Sequence, residues 1–132
     1  MRKEERLKNL DNEKFYFIMF DGTLMPNKPK YVKITMFNNV FYIEDENGLK
    51  EYIDIYFILQ VQQFLTRNIA MLDKITNTNQ YIKSSYNHEI SIKINGKKYN
   101  IDRNASDDEG RKIYDYFKQQ IFQILGIKDD NV

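Results

Sequence analysis

The sequence predicts an α+β fold: an antiparallel sheet of about five strands, order β-β-β-α-β-β-α, with two helices on one face and a short N-terminal helix besides. Three observations carry this prediction. Leu49–Leu72 is the longest apolar run and repeats with a helical period. The segments 31–45 and 88–102 each alternate apolar and polar residues on both sides of a turn signal. Residues 106–126 have helix-start chemistry at one end and a glycine at the other. Two amphipathic helices over one face of an antiparallel sheet bury all three patterns at once.

The elements follow in chain order. Residues 2–13 are mostly charged, with Leu7 and Leu10 the apolar exceptions, and read as a surface helix or tail. Lys14–Phe20 is apolar at nearly every position, the pattern of a central strand buried on both faces. Asp21–Pro29, with a glycine and two prolines, reads as a break in regular structure. A hairpin then turns at Asn38-Asn39, pairing Phe37 with Val40, Met36 with Phe41, Ile34 with Ile43 and Lys33 with Glu44. That register places Val32, Ile34, Met36, Phe41 and Ile43 on one face.

In the long run, Leu49, Tyr52, Ile53, Tyr56, Phe57, Val61, Phe64 and Leu65 form one stripe, continued by Ile69 and Leu72, with Asn47 as N-cap. Ile53–Val61 also fits strand alternation, but strands rarely exceed about ten residues, so length decides for a helix reaching about Asp73. Ile55, Ile58 and Leu59 widen its apolar face and predict burial on more than one side. Lys74–Asn87 is polar and reads as a loop. The second hairpin turns at Asn95-Gly96 and pairs Ile92 with Tyr99 and Ile90 with Ile101. In the last element, Ser106-Asp107-Asp108-Glu109 is a capping box, Ile113, Phe117, Ile121, Ile124 and Leu125 make the stripe, and Gly126 sits at the C′ position. One domain spans 1–132, with its globular core at 14–126 and a tail at 127–132. The order of elements resembles that of the small bacterial secretion chaperones.

Composition bounds the function. A chain 42% hydrophobic and 14% aromatic can build a core, and a net charge of +1 gives no global attraction to nucleic acid or an anionic membrane. Without cysteine, disulfides, thiolate metal sites and a cysteine nucleophile are excluded. The first residues contain no apolar run of the secretory type, and no uncharged apolar stretch of about 18 residues occurs, so a cytoplasmic protein without membrane contact is expected. The heavy use of Ile, Asn, Lys, Tyr and Phe reads as an AT-rich coding genome, bacterial or phage.

Phe17–Leu24, FIMFDGTL, resembles the first motif of haloacid-dehalogenase-type phosphatases, an apolar strand followed by D-x-D-G-T. In that family the first aspartate is the nucleophile; Met19 holds its place here, and a thioether can neither form an acyl-phosphate nor bind Mg²⁺. Asp21-Gly22 therefore reads as a turn. His88, beside Glu89, has no second imidazole or carboxylate cluster for a metal, and no serine in a nucleophile elbow, so it reads as a surface histidine. No cofactor is expected.

Two surfaces remain. Lys93, Lys97 and Lys98 crowd the tip of the second hairpin, with Tyr99 and Arg103 close by. These are the ingredients of single-strand nucleic-acid binding, or of a solvated edge. The outer face of the first hairpin presents Tyr31, Thr35, Phe37, Val40 and Tyr42, with Leu24 and Met25 in the adjoining loop, where polar residues would be usual. Glu44, Asp45, Glu46, Glu51 and Asp54 form an acidic pole beside it. The expectation is a non-enzymatic protein-binding module (adaptor, chaperone or inhibitor), docking through Tyr31, Phe37, Val40, Tyr42, Leu24 and Met25, a homodimer being one form of that docking. A nucleic-acid-binding protein using Lys93, Lys97, Lys98, Tyr99 and Arg103 is the alternative, and an enzyme the third reading.

Overall fold

Alternation builds the sheet, and one buried face organises everything else. A computed structural model describes residues 14–23, 30–37, 40–52, 54–78, 88–103 and 107–127. Its strands are β1 (Tyr16–Thr23), β2 (Lys30–Phe37), β3 (Val40–Asp45), β4 (Gly48–Tyr52), β5 (His88–Ile94) and β6 (Lys97–Asp102). Its helices are α1 (Ile55–Arg67), α2 (Ile69–Thr78) and α3 (Asp108–Leu125). The strands form one antiparallel sheet in the order β4-β3-β2-β1-β5-β6. The α+β class stands, with β4 added at the edge of the five strands that alternation marks. The N-terminal segment 2–13, the turn Asn38-Asn39 and the tail after Ile127 lie outside the described residues.

Both hairpin registers are as the alternation predicts. Phe37 pairs with Val40, Met36 with Phe41, Ile34 with Ile43 and Lys33 with Glu44. Ile92 pairs with Tyr99 and Ile90 with Ile101. At the second turn Asn95 (φ 52°) and Gly96 (φ 78°) both adopt the positive φ that a tight hairpin turn demands. The inner face is Phe17, Met19, Ile34, Met36, Phe41, Ile90, Ile92, Tyr99 and Ile101, all buried. β1 is central by pairing but buried on one face only: Tyr16, Ile18 and Phe20, on the other side, keep partial exposure. Asp21 and Gly22 continue β1 rather than turning.

The long apolar run divides in three. Asp45-Glu46-Asn47-Gly48 makes a tight turn in which the Asn47 N–H donates to Asp45 Oδ1 (2.8 Å), so Asn47 is a turn residue and not a cap. Gly48 takes φ 140°, and residues 48–52 pair with β3. The N-cap of α1 is Asp54, whose Oδ1 accepts from the Tyr56 N–H at 3.0 Å. At Asn68 the side-chain amide folds back to donate to the Phe64 carbonyl (2.8 Å), and backbone φ −113° ends the helix. The Asn68 carbonyl then accepts from the N–H groups of Met71 and Leu72 to begin α2, which extends through Lys74–Thr78, residues whose polarity reads as loop.

α1 buries Ile58, Val61, Phe64 and Leu65 in the core, with Phe64 edge-on to Phe117 of α3 at 5.3 Å between ring centroids. Its expected burial on a second side is not met: Ile55 is 51% and Leu59 48% exposed. In α3 the cap is Asp107, with Oδ1 accepting from the Gly110 N–H at 2.8 Å, while Ser106 of the expected capping box lies outside the described residues; Asp108 and Glu109 suit the helix dipole. Gly126 ends it at φ 69°. Its buried stripe runs Tyr114, Phe117, Ile121 and Phe122, rotated slightly from the pure aliphatic one, with Ile113, Ile124 and Leu125 half-buried beside it.

Candidate functional site

Two places in the molecule combine chemistry with position: a polar knot at the inner end of β1, and the outer face of the sheet. The knot forms because strand alternation continues past Phe17 and Met19 and carries Asp21 onto the inner face, only 7% exposed. A buried carboxylate needs partners. Tyr114 donates its hydroxyl to Asp21 Oδ2 at 2.9 Å, and Lys118 Nζ lies 3.2 Å from the same oxygen. Tyr114 and Lys118 are one helical turn apart on α3 and so reach one target. From β5, His88 brings Nδ1 to 3.2 Å from Asp21 Oδ1. Nδ1 is buried, and among the described residues it has no hydrogen-bond partner. The His88 ring stands edge-on to Tyr114, with centroids 6.1 Å apart.

Around the knot, Arg103 donates to both carboxylate oxygens of Asp115 (2.9 and 3.2 Å), and its backbone N–H donates to the His88 carbonyl at 2.9 Å. The hydrogen bond to Asp115 raises the guanidinium pKa. Burial, then the charge of Asp21, pushes the Tyr114 phenol far above its ordinary value, so it remains a donor. What the knot visibly does is pin α3 to β1 and β5. Gly22, next along β1, permits the close approach of β2: a Cβ there would lie 2.3 Å from the Lys30 carbonyl oxygen and 2.4 Å from Tyr31 Cα. Sequence reasoning missed the knot, although one signal was present: alternation through Phe17, Met19 and Asp21 points a carboxylate into the core.

The outer face is the second place. Tyr16, Ile18, Phe20, Tyr31, Phe37, Val40 and Tyr42 share it across β1–β3, each partly exposed. Phe20 and Tyr31 stack at 5.5 Å, and Tyr31 donates its hydroxyl to Glu44 at 3.1 Å, the bond that chiefly raises its pKa. The buried residues of α1, α2 and α3 all join the core on the opposite face. Of the expected docking residues, Tyr31, Phe37, Val40 and Tyr42 are thus brought together, while Leu24 and Met25 lie outside the described residues.

The basic constellation does not assemble as its spacing suggests. Lys93 and Lys98 share the outer face, but Lys97 is ion-paired with Asp73 of α2, which raises its pKa, and also stands over the Tyr99 ring. Tyr99 is 5% exposed in the core and has no free face on which a base could stack. Arg103 is tied to Asp115. A smaller exposed apolar patch, Ile55, Tyr56 and Leu59, lies at the start of α1. Among the described residues no helix is long and apolar enough to cross a membrane, and no cluster of three or more metal-ligating side chains occurs. Comparison of the chain with protein-family models, curated proteins and solved structures finds no match.

Proposed function

We propose that this chain is a non-enzymatic protein-binding module that docks through the outer face of β1–β3. The observation that carries this reading is the set of aromatic and aliphatic side chains that Tyr16, Ile18, Phe20, Tyr31, Phe37, Val40 and Tyr42 bring to that face around Lys33 and Thr35, opposite to the face on which the three helices bury theirs. Aromatic residues are enriched in the cores of interfaces, and an apolar patch of this kind loses water on contact. The acidic residues Glu44 and Asp45 at its margin orient the partner. Of the residues expected to carry the nucleic-acid alternative, Lys93 and Lys98 lie on this face while Lys97, Tyr99 and Arg103 are engaged elsewhere, which makes it the weaker reading.

The test is capture by the tagged chain, run with and without nuclease and compared with Phe37→Asp and Tyr42→Asp. A nuclease-resistant protein bound by the wild type and lost with either substitution supports the reading. Capture unchanged by both substitutions, or bound material that vanishes with nuclease, overturns it.

A further inference from the structure

We infer that the outer sheet face packs on the same face of a second copy of this chain, about a two-fold axis lying along the cross-strand row Tyr42–Thr35–Ile18–Ser91–Asn100. The inference rests on the docking reading above and names the occupant. Between β3 and β6, cross-strand register sets three full rows on this face, with Tyr31 and Gly22 beyond them. The middle row is the one just given, uncharged from Tyr42 to Asn100 and continued in register by Glu51 of β4. One flanking row is Val40–Phe37–Tyr16–Lys93–Lys98, and the other is Glu44–Lys33–Phe20–Glu89–Asp102. The first ends in two lysines, and the second ends, on the same two strands, in two carboxylates.

Within one copy this sets like charges opposite each other twice, Lys93 against Lys98 and Glu89 against Asp102, with Asn100 donating to Glu89 at 2.8 Å. A two-fold axis along the middle row exchanges the flanking rows and keeps each strand over its own counterpart. Lys93 and Lys98 then face Glu89 and Asp102 of the second copy, and symmetry repeats the contacts. Phe20 comes over Tyr16 of the second copy. The other in-plane axis, parallel to the strands, brings Lys33 over Glu89 but also Glu44 over Asp102, and leaves Lys93 and Lys98 over Phe37 and Val40. The first axis leaves Glu44 over Val40 and Lys33 over Phe37 but pairs both lysines with carboxylates, four opposite-charge contacts by symmetry against two, so the charge pattern favours it. Stacked sheets cross at about 30°, which displaces the rows by about 5 Å at β6, within reach of a lysine side chain. Five strands about 4.8 Å apart, each roughly 20 Å long, offer about 500 Å² per copy, or about 1,000 Å² in total, the lower limit for a specific interface. The expected dimer is weak and salt-sensitive.

Sedimentation velocity on the full chain, from about 10 to about 500 μM at low and high salt, tests this. Wild type is expected to dimerise reversibly, less at high salt. Lys93→Glu/Lys98→Glu makes both flanking rows acidic, Glu89→Lys/Asp102→Lys makes both basic, and each variant should self-associate about tenfold more weakly or worse. An equimolar mixture of the two should dimerise at least as well as wild type, which also shows that both are folded. If either double variant has lost its far-UV circular dichroism, the single changes Lys98→Glu and Asp102→Lys replace them. A wild type that stays monomeric, variants that dimerise as it does, or a mixture that fails to associate overturns the two-fold dimer. A monomeric wild type that still captures a protein through Phe37 and Tyr42 overturns the dimer alone, whereas Phe37→Asp and Tyr42→Asp without effect on any association overturn the docking reading as well.

Discussion

Replacing Tyr114 by Phe isolates the polar knot with one atom removed. The hydroxyl donates at 2.9 Å to a carboxylate that is almost fully buried. A hydrogen bond to a charged group contributes about 1.5–3 kcal/mol, and because Lys118 still stands 3.2 Å from the same oxygen, a loss near the lower part of that range, about 2 kcal/mol, is expected at pH 7. The pH dependence is the sharper test. The folded-state pKa of Tyr114 is raised, by burial first and by Asp21 next, so its contribution is fully present below the unfolded pKa of about 10 and is lost as pH rises above it. Between pH 9 and 11 the unfolded chain gives up this proton while the folded one keeps it, which costs the wild type about 1.4 kcal/mol. Tyr114→Phe has no such proton, and the other titrating groups are common to both proteins. The stability gap should therefore shrink from about 2 kcal/mol at pH 7 and 9 to about 0.6 kcal/mol at pH 11. Urea denaturation followed by far-UV circular dichroism at the three pH values measures it. A gap that does not change with pH refutes the claim that the fold holds this phenol protonated.

Other substitutions probe the same architecture. Asp21→Asn removes the carboxylate 3.2 Å from Lys118 Nζ, on a side chain only 14% exposed; about 3 kcal/mol of stability should be lost, and adding Lys118→Met should restore most of it in the urea midpoint. Gly22→Ala forces a Cβ to within 2.4 Å of backbone on β2, so at least about 1–3 kcal/mol should disappear and the melting temperature fall accordingly. Asp107→Ala removes the α3 cap and should lower stability by about 1 kcal/mol, whereas Asn47→Ala, in a turn rather than at a helix start, should leave the helix content of the circular dichroism spectrum unchanged.

Much of the fold was legible because its determinants are local. Alternation with period two set both hairpin registers, Asn95-Gly96 specified its turn, and Gly126 closed α3, each within a few residues of chain. Local pattern also has characteristic failures. The apolar stripe from Leu49 to Leu72 carries straight through Gly48–Tyr52, Asp54 and Asn68, because periodicity registers which residues are apolar and not which hydrogen bonds their backbones make. An edge strand pairing with β3, and an asparagine amide that takes the Phe64 carbonyl, decided those boundaries.

Sequence alone therefore determined the class, the strand pairing within each hairpin, the inner face of the sheet and the aromatic character of its outer face. Tertiary structure decided which charges meet. Asp21 and Tyr114 are 93 residues apart, and the meeting of Asp21 with Tyr114, Lys118 and His88 depends on β5 joining β1 and on α3 crossing above them. The same assembly dismantled the basic cluster, by placing Asp73 and Asp115 beside Lys97 and Arg103. Side-chain period is a property of one segment, whereas the partner of a charge is a property of how segments pack. A carboxylate on a strand or a lysine on a turn acquires its chemistry only from the element that comes to lie against it.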